Sequence, residues 1–171
     1  MGTFPKLIPA LMVMTVAVMI TFCGRNERGE SAEGRAGRTV VPTHTVQILS
    51  EMQDRVVAEV RVALAQTEKE RNMGLMDVHQ MPFDTGMYFI FPDETPRSFW
   101  MVNTPLSLDI LFINKEKRIV RIHTRTTPFS DRQIRSEFPA MYTLEVNAGF
   151  VSEFDIREGM HVRLQQNGEL P

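Results

Sequence analysis

LDILFI, Leu108 to Ile113, is an almost continuous apolar run broken only by the carboxylate Asp109. Within Leu106–Asn114 it reads as the central strand of a sheet, because only a strand covered on its faces tolerates so little polarity. Asn114-Lys115-Glu116-Lys117 follows as a turn into a second strand, Arg118–Thr124, which makes a hairpin. On the N-terminal side Ser98–Val102 is expected as a strand. Before it comes Gly86–Phe91, closed by Pro92-Asp93. Thr45–Leu49, Val56–Leu64, Tyr142–Val146 and His161–Gln165 mix β-branched and polar residues as half-buried strands do. Thr67-Glu68-Lys69-Glu70 has the form of a capping box, opening a short helix that should end near Gly74. A second short helix fits Gly149–Phe154. Many short strands with one or two short helices predict a mainly β chain, a single antiparallel β-sandwich or barrel-like domain.

The 171 residues suffice for one ordinary domain. An apolar share of 43% and a charged share of 23% are globular proportions and exclude a disordered or fibrous chain. The lone cysteine, Cys23, excludes an internal disulfide framework and a Cys-rich zinc module. His44, His79, His123 and His161 are scattered without metal-ligand spacing, so no metal site is expected. There is no Gly-x-Ser-x-Gly elbow, Gly-rich phosphate loop or dinucleotide fingerprint, and no cofactor is expected.

The N-terminal region reads differently. Leu7–Phe22 (LIPALMVMTVAVMITF) is uncharged and follows Lys6, the pattern of a secretory signal. Cys23 stands directly after it, where a bacterial lipoprotein carries its acylated cysteine. Ile20 and Thr21 suit such a lipobox, whereas Phe22 replaces the small residue expected next to the cysteine. Residues 1–23 are therefore read as a signal peptide with a lipobox-like end, and residues 24–43 as a flexible, mixed-charge linker. Residues 44–171 form the β-rich domain. Removing Lys6 and four linker arginines from 19 basic residues leaves 14, and removing three linker glutamates from 21 acidic residues leaves 18. The domain therefore carries about −4, which argues against a nucleic-acid partner. The expectation is an exported protein of the bacterial cell envelope, periplasmic or membrane-anchored through Cys23.

Five blocks share an order and spacing: Thr67–Met76, Gly86–Phe91, Ser98–Thr104, Leu108–Ile113 and Tyr142–Gly149. Together they resemble the bacterial and archaeal family catalogued as domain of unknown function 192, over roughly Val56 to Val162. The resemblance implies a mainly β fold, frequent export and no established activity. Two departures stand out. The loop Pro128–Pro139 lacks a cysteine pair often present in the family, and Ser107 occupies a place where proline is usual, with Pro105 two residues earlier.

The candidate ligand-binding residues are Trp100, Asn103, Thr104, Asp109, Glu145 and Asn147. Asn103 and Thr104 precede Pro105 and are expected at a strand end, while Asp109 needs a donor inside its apolar run. The alternative for these three is that they bond backbone amides and hold a turn. Glu145 and Asn147 share a strand face. Asp109 and Glu145 offer a two-carboxylate hydrolase as a second reading, against an ion pair of Glu145 with Arg71 or Arg121. A third reading is a Cu(I) carrier using Met76, Met87, Met101 and Trp100, since thioethers are soft ligands; methionine is equally a core filler. No nucleophile–base motif accompanies these residues. The leading expectation is a binding or accessory module for an envelope partner or a small polar ligand, neutral and hydroxylated, stacked on the indole.

Overall fold

Strand β4 (Leu108–Ile113) is buried at every position, and the sheet is built around it. A computed structural model describes residues 1–2 and 37–167, the latter within one compact unit. The expectations for the leader, for Cys23 and for the linker up to residue 36 fall outside the described residues. The remaining strands are β1 (His44–Leu49), β2 (Val56–Ala65), β3 (Thr85–Phe99), β5 (Ile119–His123), β6 (Ile134–Asn147) and β7 (His161–Gln166), with helices α1 (Glu68–Met73) and α2 (Phe150–Glu153). All seven strands form one sheet in the order β5-β4-β6-β3-β2-β1-β7. The sheet curls into a half-barrel whose edges meet at one end. There Ile119 donates to Met160 O and Val162 donates to Lys117 O, both at 2.8 Å. Among the described residues no helix is long and apolar enough to cross a membrane.

The mainly β expectation stands, but the strictly antiparallel arrangement is corrected. β2 and β3 run parallel, from Arg61 opposite Thr85 to Ala65 opposite Phe89. A parallel pair needs a long crossover, and the connection through α1 provides it. The expected break at Pro92-Asp93 is also corrected. β3 continues to Phe99 with irregular register between Ile90 and Thr95 and between Pro96 and Ser98. Beyond Phe89 it pairs only with β6, so Pro92 and Pro96 sit where a missing N–H is tolerated. The expected strand Ser98–Val102 becomes the end of β3 followed by a turn, in which Thr104 donates to Met101 O at 3.0 Å. β6 begins well before Tyr142.

Two apolar clusters lie on the two faces of the sheet. The enclosed one draws on all seven strands, with Val46, Val60, Tyr88, Leu111, Leu144 and Val162 among its members, and is plugged by Phe150 and Val151 of α2. The outer one joins Met87, Phe89, Ile110 and Phe112 to Leu75, Val78 and Met101 from the segments that cover this face. β4 contributes to both, which explains why LDILFI lacks alternation. The capping box of α1 is complete: Glu70 N–H donates to Thr67 Oγ1 at 3.2 Å and Thr67 N–H donates to Glu70 Oε2 at 2.9 Å. Gly74 ends the helix at φ 44°, in the left-handed region that glycine favours. The last residues of the sequence-read linker are tied to the fold. Arg38 donates from Nη1 to Met76 O at 2.8 Å, and Thr43 N–H donates to Val62 O at 3.0 Å.

Candidate functional site

Alternation along β6 sends Leu144 and Val146 into the enclosed core and Thr143 and Glu145 to the outer face. Glu145 is opposite Met87 of β3 and Ile110 of β4, so its carboxyl rises between two apolar side chains. It is 4% exposed. Among the described residues nothing donates a hydrogen bond to it and no cation lies within salt-bridge distance. Burial alone pushes its pKa up to about 8, so the group is uncharged at neutral pH. Thr143 Oγ1, two residues earlier on the same face, is buried without a partner among the described residues.

Glu145 opens into a cleft of about 370 Å³. Phe89, Phe91, Phe99 and Trp100 supply its aromatic lining. Residues 71–76, the end of α1 and the turn after it, form another side, and Thr104 and Gln133 add polar groups. Phe99 sits edge-on to Phe89 at 5.1 Å and to Phe112 at 5.5 Å, which fixes the ring in the outer cluster. Trp100 is 57% exposed, leaving much of its indole to solvent.

Arg71 is the other ionisable residue of the lining. Its Nη1 donates to Ile90 O at 3.0 Å and to Gln66 O, and its guanidinium lies 5.2 Å from the Phe91 ring centroid. Arg97 lies 4.0 Å from the same centroid and pairs with Asp93 at 2.7 Å. The Arg71 guanidinium is therefore fixed in place. Among the described residues its Nε and Nη2 make no hydrogen bond, and no carboxylate lies within 4.0 Å. Glu145 lies opposite Met87, three residues along β3 from Ile90. At about 3.3 Å per residue this puts roughly 10 Å of strand between the two ends of the cleft.

The six candidate residues divide. Trp100, Thr104 and Glu145 line the cleft together, and Asn103, Asp109 and Asn147 are not part of its lining. Asp109 is opposite Val146, which places it on the enclosed face, away from Glu145. Its Oδ1 accepts from Arg125 N–H at 2.8 Å, and its Oδ2 accepts from Gly149 N–H and Val151 N–H, both at 2.9 Å. It thus caps α2, whose own N-cap Gly149 has no side chain to do so. The two-carboxylate arrangement is not formed, because the carboxyls lie on opposite faces of the sheet. Asn147 donates to Met81 O at 3.2 Å and Pro82 O at 2.9 Å, securing the loop before β3. Asn103 has φ 54°, and its carbonyl accepts from Asp77 N–H at 2.9 Å. The ion pair of Glu145 with Arg71 or Arg121 is also absent; Arg121 pairs with Glu137 at 2.9 Å instead. Of the methionines read as copper ligands, Met76 lines the cleft while Met87 and Met101 are packed in the outer cluster. Among the described residues no three His, Cys, Asp or Glu side chains converge as a metal site.

The sequence reading missed Arg71 as a lining residue, along with Phe89, Phe91, Phe99 and Gln133. Local sequence carries no signal for Arg71, whose place in the lining follows from the crossover that lays α1 beside Ile90.

Solved structures similar to this chain include the following two. One is a protein from Sinorhizobium meliloti 1021, provisionally described as a transcription regulator, with 34% identity and a TM-score of 0.68 over 74% of this chain and 95% of that one. The other is a protein of unknown function from Novosphingobium aromaticivorans DSM 12444, with 26% identity and a TM-score of 0.64 over 77% of this chain and 94% of that one. Among curated proteins none matches. The family model DUF192, described as "Uncharacterized ACR", matches residues 48–164. That span covers most of the chain and holds the whole cleft, from Arg71 to Glu145, so the protein belongs to the domain of unknown function 192 family.

Proposed function

We propose that this protein is a binding or accessory module whose outer cleft takes a small polar ligand with a flat apolar part. The observation that carries this reading is Glu145, 4% exposed and without a hydrogen-bond or ion-pair partner among the described residues, at the side of an aromatic cleft. A buried polar group without a partner costs about 1–3 kcal/mol, so a core built only for stability gains nothing from it. A ligand that hydrogen-bonds the group recovers that cost. Apolar walls with a few convergent polar groups are the usual form of a small-molecule site.

The loss of the Asp109–Glu145 pair favours binding over hydrolysis. We also propose export and tethering to the bacterial envelope through acylated Cys23, supported by the apolar run before it and the polar stretch behind it. Labelled palmitate should then enter the wild type and not Cys23→Ser; equal labelling of both, or none in either, would remove the tether.

A fragment screen of small ring compounds, read by emission of the sole tryptophan and by amide shifts, tests the cleft. Hits should move Trp100, Thr104 and residues 72–76. Hits that cluster elsewhere, or no hits at all, would overturn the reading.

A further inference from the structure

We propose that the ligand is an organic carboxylate on a flat apolar body, its carboxylate held by Arg71 and its body lying along Phe99 and Trp100 toward Glu145. This rests on the binding reading above and names the class of ligand. Three observations lead to it. Arg71 and Glu145 are the charged or titratable residues among those lining the cleft. Of the two, only Arg71 is charged at neutral pH, and its Nε and Nη2 are unbonded among the described residues; Glu70 and Asp93 act on it electrostatically but stand outside ion-pair distance. Its guanidinium is also held by Ile90 O, Gln66 O and the Phe91 ring, so little freedom remains to be lost when an anion docks.

Glu145 does not compensate Arg71. No ion pair joins them, and roughly 10 Å of β3 separates their positions. Among the described residues no other element packed around Glu145 brings a charge to it. β3 presents Met87 and β4 presents Ile110; the segment before β4 presents Trp100 and Thr104, and the residue just before β6 is Gln133. Asp109 of β4 faces the opposite side. An uncharged acid beside an aromatic wall accommodates an apolar ring, whereas a carboxylate there would resist losing its water. The cleft therefore presents the Arg71 guanidinium at one end, with Glu70 and Asp93 outside the lining, and an apolar, neutral far end. A cationic ligand would meet Arg71 with like charge, and a neutral one would leave its fork of donors unused.

Three probes of matched shape separate these cases: 3-phenylpropionate, 3-phenylpropanol and 3-phenylpropylamine, titrated into the full chain and read by Trp100 emission. At pH 6.5 the carboxylate should bind about tenfold or more tightly than the other two, the size of one charge-assisted pair. Arg71→Gln should abolish that preference and leave the alcohol unchanged. Because Arg71 also braces the fold, the ordering of the probes on the wild type decides even if this variant fails to fold. Between pH 6.5 and 9.5 the wild type should lose about 30-fold in affinity for the carboxylate as Glu145 ionises above about 8. Glu145→Gln should keep the preference and flatten that dependence. Equal affinities, or a preference for the amine, would overturn the carboxylate assignment while leaving a binding cleft. If none of the three moves the emission and the fragment screen finds nothing at the cleft, both readings fail.

Discussion

Replacing Asp109 with alanine removes the acceptor for three backbone N–H groups at once, those of Arg125, Gly149 and Val151. The carboxylate is 0% exposed, so solvent cannot readily take its place. Each buried donor left unsatisfied costs about 1–3 kcal/mol, and the Arg125 end lies near enough to the surface to be partly rehydrated. The sum is about 3–5 kcal/mol, which matches the usual cost of breaking a buried charged network. Against a total of roughly 5–15 kcal/mol for a domain of ordinary stability, the variant should remain folded but marginal. Equilibrium urea unfolding measures this directly: with a slope of about 2 kcal/mol per molar, the midpoint should fall by about 2 M. Asp109→Asn, which keeps one oxygen acceptor, should lose about half as much. Emission of Trp100 in the folded baseline should be unchanged, because Asp109 lies on the other face of the sheet. A loss below about 1 kcal/mol for the alanine variant would refute the reasoning, since that is the range of a solvent-facing group.

Two other substitutions bear on the cleft. Glu145 titrates at about 8 in the fold against an ordinary value of 4.5, so its protonation stabilises the protein fully below 4.5 and that contribution is lost as pH rises through 8. Urea midpoints of the wild type and Glu145→Gln should therefore diverge with rising pH, the wild type losing about 5 kcal/mol relative to the variant by pH 8.5; parallel curves would show that the carboxyl is solvated. Gly86→Ala would place a Cβ 2.3 Å from the Glu145 carbonyl oxygen and force β3 away from β6. A loss of more than about 2 kcal/mol is expected, measured by thermal unfolding, and a near-neutral effect would contradict the close strand approach.

Much of this fold was legible in local chemistry. LDILFI marked a central strand because a strand covered on both faces must be apolar at successive positions. Thr67 and Glu70 marked the start of α1 because a capping box satisfies its bonds within four residues. Strand direction was not legible, since alternation is the same for parallel and antiparallel partners; β2 and β3 therefore looked like ordinary neighbours in an antiparallel meander. Pro92 read as a stop because its tolerance depends on β2 ending at Ala65, a fact of the sheet and not of the segment.

The candidate site was legible in part for a related reason. Trp100, Thr104 and Glu145 stand in polar-rich blocks that attract notice, and they share one cleft. Asp109 attracted equal notice, but whether it faces Glu145 depends on parity in the β4–β6 register, where it opposes Val146. Arg71 was hidden for the opposite reason. An arginine at the end of a short helix looks like an exposed charge until the crossover lays that helix beside Ile90 and Phe91.

Glu145 is held uncharged at neutral pH, without a partner among the described residues, at the side of the outer cleft. Carbon-13 NMR of the glutamate side-chain carboxyls across pH, with the Glu145 signal identified by its loss in Glu145→Gln, measures its titration directly. A midpoint near 8 in the free protein, rising further when 3-phenylpropionate is bound, is the predicted result. A midpoint near the ordinary 4.5, unmoved by the probe, would contradict it.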